Sequence, residues 1–217
     1  MRLAGMKVAG EIPGVKPEIN GSFANKAREK LKTLVLGHEV VLKYGGQRLD
    51  RYGRRLAQVF REDGGEQELL WVQGEMIAAG LARVVSFADN RACIGPLLEL
   101  ERPARKERRG IWADPFYAVL PASQPGLLAK KSGQFQIVRG HVVAVARRGK
   151  RIFLNFDDNW KRDFTIVIAS RHWRSFAKKG LDLDALKGRE LQVRGWVRMW
   201  NGPMIEVDHP EQIELLD

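Results

Sequence analysis

Cysteine is almost missing from this sequence. Cys93 stands alone in 217 residues, so no disulfide can form within the chain and a disulfide-stapled scaffold is excluded. Histidine is scarce too. His38, His141, His172 and His209 are scattered without the spacing a zinc site needs, and no metal site is predicted. No apolar run approaches the roughly 20 residues that span a bilayer. The opening Met1-Arg2-Leu3-Ala4-Gly5-Met6 has no charged leader and no long apolar core, so it reads as a strand rather than a signal peptide. Internal repeats and low-complexity tracts are absent. Positive charge, by contrast, is abundant: 37 basic against 26 acidic residues, a net charge of +11 and a pI near 10.0. The excess is shared, with net +5 over residues 1–125 and net +6 over 126–217. Such a balance suits a polyanionic partner, most often nucleic acid, although charge alone equally allows a merely solvated basic surface. A hydrophobic fraction of 44% with 29% charged residues is that of a folded chain.

Residues 1–8 alternate weakly and suit a strand, and 9–21, with Gly10, Pro13, Gly14, Pro17 and Gly21, suit a loop. Ser22 is the expected cap of a helix running to about Gly37, with Phe23, Ala27, Leu31, Leu34 and Val35 on one face. Strands are predicted at 39–44 and 55–61, on either side of a polar, glycine-rich turn at 45–54. A short helix near 68–79 stops at Gly80. A longer one over about 94–109 contains Pro103, which should kink it or delay its start, and ends at Gly110 with Trp112 packing back on the core. Proline and glycine then recur over 113–133. This stretch divides the chain into domains at 1–117 and 134–217, with 118–133 as linker. Beyond it, strands are predicted over 134–146, 151–156, 163–168 and 189–200, with 204–207 and 212–215 completing one last strand region. A helix over 170–179 closes at Gly180, a helical turn follows near 182–186, and Asn201-Gly202 is a hairpin signal. Three strands, a helix and two strands is the order of an OB-fold, a five-stranded Greek-key barrel.

The run Asp50-Arg51-Tyr52-Gly53-Arg54-Arg55-Leu56-Ala57 has the pattern D-x-Y-G-R-x-L-A and resembles the thermonuclease (staphylococcal-nuclease-like) family. Arg2-Leu3-Ala4-Gly5-Met6 before it, and Gly80-Leu81-Ala82-Arg83-Val84 and Gly110-Ile111-Trp112 after it, follow in the family's order, so the resemblance covers about residues 1–117. It implies an OB-barrel with helices that hydrolyses DNA and RNA phosphodiesters with calcium. With the second barrel, the expected fold class is β-rich α+β. In such a site two arginines clamp the phosphate and offset charge that grows in the transition state. A glutamate activates water and aspartates hold the hard calcium ion. Carried over residue by residue, Arg54 matches the second arginine and Arg2 the first. Lys7 stands where a calcium-binding aspartate belongs, and Gly10 where the glutamate belongs, with Glu11 one position late. An ammonium at that place disfavours a bound cation by repulsion as well as by a lost ligand. The family's first two barrel strands fall before the position of Arg2. A preceding segment is therefore expected, and export to the periplasm or medium would follow if it carried a signal.

The resemblance therefore implies a protein that binds nucleic acid or phosphodiesters with catalysis lost or weakened. Two alternatives stand beside it: an active calcium-dependent nuclease using Arg2, Arg54 and Glu11, and an envelope module in which both barrels bind protein or glycan. The candidate nucleic-acid contacts are Arg48 in the first domain and, in the second, the loop residues Arg147, Arg148, Lys150 and Arg151, the group Trp160, Lys161 and Arg162, and Trp200 at the last hairpin. Trp196 alternates with Trp200 on one strand and is either core or platform. Asp50 and Tyr52 are expected to serve the turn and packing. Arg102, Arg105, Lys106, Arg108 and Arg109 are expected to form a solvated helix face.

Overall fold

The computed structural model describes residues 1–9, 17–62, 69–159 and 162–216, the side chains of 17–20 excepted. The chain divides into two compact units, Met1–Tyr117 and Ala118–Asp217.

The first unit runs β1 (Arg2–Leu3), β2 (Met6–Val8), α1 (Pro17–Val35), β3 (Val40–Lys43), β4 (Leu56–Glu62), β5 (Leu69–Trp71), α2 (Val72–Ala78), β6 (Ala82–Val84) and α3 (Ile94–Lys106). β4 organises it: β1 pairs with it in parallel, β3 and β5 antiparallel, while β2 pairs with β6. The helix expected to begin at Ser22 begins at Pro17 instead. Proline suits a first helical turn, because its fixed φ is helical and the N–H it lacks would have had no partner there. Ala27 and Leu34 turn inward at 3% and 4% exposure, with Leu31 packed beside them. Pro103 neither shortens α3 at its start nor divides it, since Ile94–Lys106 is continuous through it. The buried helix α2 replaces a strand. The Gln73 side chain accepts a hydrogen bond from the Val59 N–H at 3.0 Å and donates one to the Ala57 carbonyl at 2.9 Å, so its amide satisfies β4 as a neighbouring strand would. Gly80 ends α2 with φ +66 and accepts from the Ile111 N–H at 2.8 Å. A Cβ on Gly80 would lie 2.3 Å from the Arg109 carbonyl oxygen, and one on Gly110 would lie 2.2 Å from that of Gly80. The two glycines thus let the ends of α2 and α3 meet backbone to backbone.

The second unit contains β7 (Leu120–Pro121), α4 (Pro125–Ala129), β8 (Phe135–His141), β9 (Ala144–Arg148), β10 (Arg151–Asn155), β11 (Thr165–Ala169), α5 (Trp173–Lys178), β12 (Glu190–Trp200), β13 (Gly202–Val207) and β14 (Ile213–Leu215). Its strands follow the order β7-β8-β12-β13-β11-β10-β9, with β14 on β12. The single strand expected over 134–146 is two, and the break closes the sheet. Val142 donates its N–H to Arg189 on the β12 side, whereas Val143 donates to Asn155 on β10. β8 and β9 together therefore join both ends of the sheet into a five-stranded ring in which β11 and β13 are parallel. That is the connectivity of an OB-fold-like barrel. Ile152, Leu154, Ile166, Ile168, Val193 and Val197 fill it at 0% exposure, each worth roughly 1.5–3 kcal/mol of burial. Residues 118–133 are not a linker. β7 pairs with β8, and Leu120, Ala122 and Leu128 are buried at 7%, 4% and 0%. The prolines that suggested a linker sit where proline fits, Pro125 at the first turn of α4 and Pro121 in the short strand β7.

The two units share a segment of topology. In the second, β11, α5, β12 and β13 make a strand, helix, strand and strand, with first and last strands parallel. In the first, β1, α1, β3 and β4 repeat that order, and β1 is parallel to β4. The described residues of the first unit thus form a curled half-barrel where the second forms a ring.

Candidate nucleic-acid interface

In the first unit the glycine-rich connection between β3 and β4 is built around one carboxylate. Asp50 accepts backbone N–H bonds from Tyr52 at 2.9 Å and Arg54 at 3.0 Å on one oxygen, and the Arg54 Nε bond at 2.7 Å on the other. Burial acts to raise its pKa. The Arg54 side-chain hydrogen bond, the two backbone N–H bonds and the guanidinium charge outweigh that effect and hold it at about 2. Asp50 is therefore the loop's organiser, as expected, and it aims Arg54, whose side chain stays about half exposed. Tyr52 is not a packing residue: it is 67% exposed, and its ring carries the guanidiniums of Arg51 and Arg54 at 4.9 and 5.2 Å. Arg48 is exposed, with its guanidinium over the Tyr44 ring at 5.1 Å.

Arg2 enters from β1. Its N–H donates to the Arg55 carbonyl at 2.8 Å, so its strand lies against the exit of the Asp50–Arg54 loop. Its guanidinium rests over Phe87 at 5.2 Å. On β2, Lys7 is paired in register with Arg83 of β6. The Lys7 side chain is exposed, yet partial burial around its ammonium, and then the charges of Arg83 and Arg2, lower its pKa below 10.5. Arg83 itself is 7% exposed with its guanidinium 5.4 Å over Tyr117, a cation that sequence reasoning did not single out. Arg2, Lys7 and Arg83 thus form a cationic cluster at the place where the resemblance puts a calcium carboxylate. Among the described residues no group of three His, Cys, Asp or Glu side chains could hold a metal ion. Arg2, Lys7 and Arg83 themselves offer no oxygen ligand to a calcium ion. Glu11 and Gly10 lie outside the described residues.

The basic helix face divides. Arg102, Lys106, Arg108 and Arg109 are exposed. Arg105 departs from the expected solvated face: its side chain is only 12% exposed and pairs at 3.8 Å with the fully buried Glu101, which accepts the Val84 N–H at 2.7 Å. That carboxylate ties β6 to α3.

In the second unit, alternation on the strands sets a second face against the core. Arg147 and Arg148 are neighbours and so point apart. Arg147 makes a bidentate pair with Asp184 and lies 4.5 Å over Trp173. That pairing lowers the Asp184 pKa and raises that of Arg147. Arg148 lines a cleft of about 230 Å³ on the outer face of the ring, with Phe153 and Asn155 of β10, Thr165 of β11, Met204 of β13 and Trp200 of β12. Trp200 is 48% exposed, with Arg151 at 4.8 Å over its indole and Phe153 tilted against it at 6.1 Å. Trp196 packs edge-to-face on Phe135 at 5.0 Å and is no platform. Lys150 and Arg162 are exposed, and Trp160 and Lys161 lie outside the described residues. Phe153, Asn155 and Thr165 were not singled out from sequence. Their signal was the period of two itself, since each alternates with a core residue.

Residues 11–114 match the family described as Staphylococcal nuclease homologue. That stretch, just under half of the chain, is similar to the staphylococcal-nuclease homologues. Arg2 and Lys7 precede the matched stretch, whereas Asp50 and Arg54 fall inside it. Over 102 residues the chain is 30% identical to a protein of Shigella flexneri named Micrococcal nuclease, covering 46% of this chain and 57% of that protein. Over 98 residues it is 37% identical to a protein of Escherichia coli O157:H7 named Uncharacterized endonuclease, covering 45% and 58%. The matched region spans just over half the length of these relatives. The nuclease-homologue domain is thus an OB-fold domain, followed in this chain by the ring of the second unit.

Proposed function

We propose that this chain binds nucleic acid through the Asp50–Arg54 loop and the basic outer face of the second unit, with phosphodiester cleavage lost or weakened. The observation that carries the reading is the neighbourhood of Lys7. Asp50 holds Arg54, the residue that the resemblance makes a phosphate clamp, while the Lys7 ammonium, near Arg2 and Arg83, stands at the position where the resemblance puts a metal-binding aspartate. The Lys7 ammonium attracts a phosphate and repels a metal ion. Phosphate binding therefore survives in this reading while the electrophile and its water do not. The matching Asp50–Arg54 motif and the nuclease names of the relatives favour a second reading, an active calcium-dependent nuclease drawing its base from Glu11.

Binding of a fluorescent single-stranded oligonucleotide, measured over a series of salt concentrations in chelator, tests the first reading. Affinity should fall steeply with salt, and Arg54→Ala should weaken binding several-fold and lower the salt slope by about one unit. An affinity indifferent to salt, or to Arg54→Ala in a folded variant, would contradict it.

A further inference from the structure

The cleft on the outer face of the second unit has features that phosphate attraction does not need. The Trp200 indole and the Phe153 ring line it, and the uncharged polar side chains of Asn155, Thr165 and Asn201 stand there beside Arg148. The Thr165 hydroxyl donates to Asp163 at 2.8 Å and lies 3.5 Å from the Asn155 side-chain oxygen. Asp163 is 3% exposed and also accepts the Phe156 and Asp157 N–H groups, so the cleft's edge is fixed from beneath. Asn155 lines the cleft beside Thr165. Gly202 sets the other end: a Cβ there would lie 2.4 Å from the Asp163 carbonyl oxygen, so the β12–β13 hairpin that carries Trp200 closes tightly against that loop. Arg151 over the indole holds the ring and places a cation beside it, with Arg148 on the rim.

We propose that this cleft is a slot for one unpaired nucleobase, with the base stacked on Trp200, its edge against Asn155, and its flanking phosphates at Arg148 and Arg151. The inference rests on the nucleic-acid reading above and narrows it to single strands. A duplex keeps its bases stacked on each other and cannot offer a face to the indole. The net +6 charge carried by residues 126–217 favours a polyanion over a neutral sugar, the other ligand that stacks on an exposed indole. The carboxylate on the same face, Glu206, is held by Arg198 at 3.2 Å.

The test compares oligothymidylate of about twelve nucleotides, within the ~4–16 that one OB fold covers, with an abasic strand and a duplex of equal length. The full chain, Trp200→Ala and Trp200→Phe are each titrated in chelator by fluorescence anisotropy. Oligothymidylate should bind on the order of tenfold more tightly than the abasic strand. Trp200→Ala should remove most of the preference for oligothymidylate over the abasic strand, and Trp200→Phe should keep most of it. If all strands bind with salt-sensitive affinity and Trp200→Ala leaves their ratios unchanged, the slot is wrong while the nucleic-acid reading stands. If no strand binds, that reading itself fails. Binding of a neutral oligosaccharide that is lost in Trp200→Ala would assign the cleft to glycan instead.

Discussion

The two units contain the same strand–helix–strand–strand segment and use charge in opposite ways. In the first, the cations are at the site. Lys7 lies near Arg2 and Arg83, and in the loop Asp50 serves to aim Arg54. In the second, Arg194 of β12 and Glu214 of β14 form a buried ion pair, at 1% and 5% side-chain exposure. The outward cleft there is aromatic and amide-lined, with arginines at its rim. In the reading proposed above, the cations of the half-barrel grip any phosphate, whereas the exposed indole of the ring discriminates between stacked and unstacked bases. The contrast teaches that net charge, nearly equal in the two halves, does not report where recognition lies.

Removing one partner of the buried pair should produce the largest effect. Glu214→Ala leaves Arg194 buried without its carboxylate and should cost about 3–5 kcal/mol. Amide hydrogen exchange would show it as lost protection in β12 and β13 with the first unit unchanged. Unaltered protection in those strands would remove the basis for contrasting a buried pair with a surface one. A smaller effect sharpens the other side of the comparison. Asp50 has its pKa lowered from 3.8 to about 2 in the folded chain. Its pairing therefore stabilises the fold above pH 3.8 and is lost as pH falls through about 2. Carboxyl NMR should give a titration midpoint near 2. A midpoint near 3.8 would mean that Arg54 is not held by Asp50 in solution.

Much of this was legible because certain residue types carry their geometry with them. The D-x-Y-G-R run marked the loop that Asp50 organises, and Asn201-Gly202 marked the hairpin between β12 and β13. Other features were hidden for physical reasons. Pro17, Pro121 and Pro125 read as breakers, yet each sits where proline's fixed φ and missing N–H do no harm. Arg147 and Arg148 read as one basic loop, but neighbouring strand residues face opposite ways, and only Arg148 reaches the cleft. The cluster joins the neighbouring strands β1 and β2 to β6, some way along the sequence. Arg83 therefore gave no local signal of standing beside Lys7.

The central claim is that the Lys7 neighbourhood binds phosphate and excludes the metal that cleavage would need. Its most direct test is cleavage of a fluorescent single-stranded DNA by the purified chain, with calcium and with chelator, recorded alongside binding. The account predicts salt-sensitive binding with no cleavage that depends on calcium. Calcium-dependent cleavage would contradict it and place a carboxylate such as Glu11 in the catalytic role.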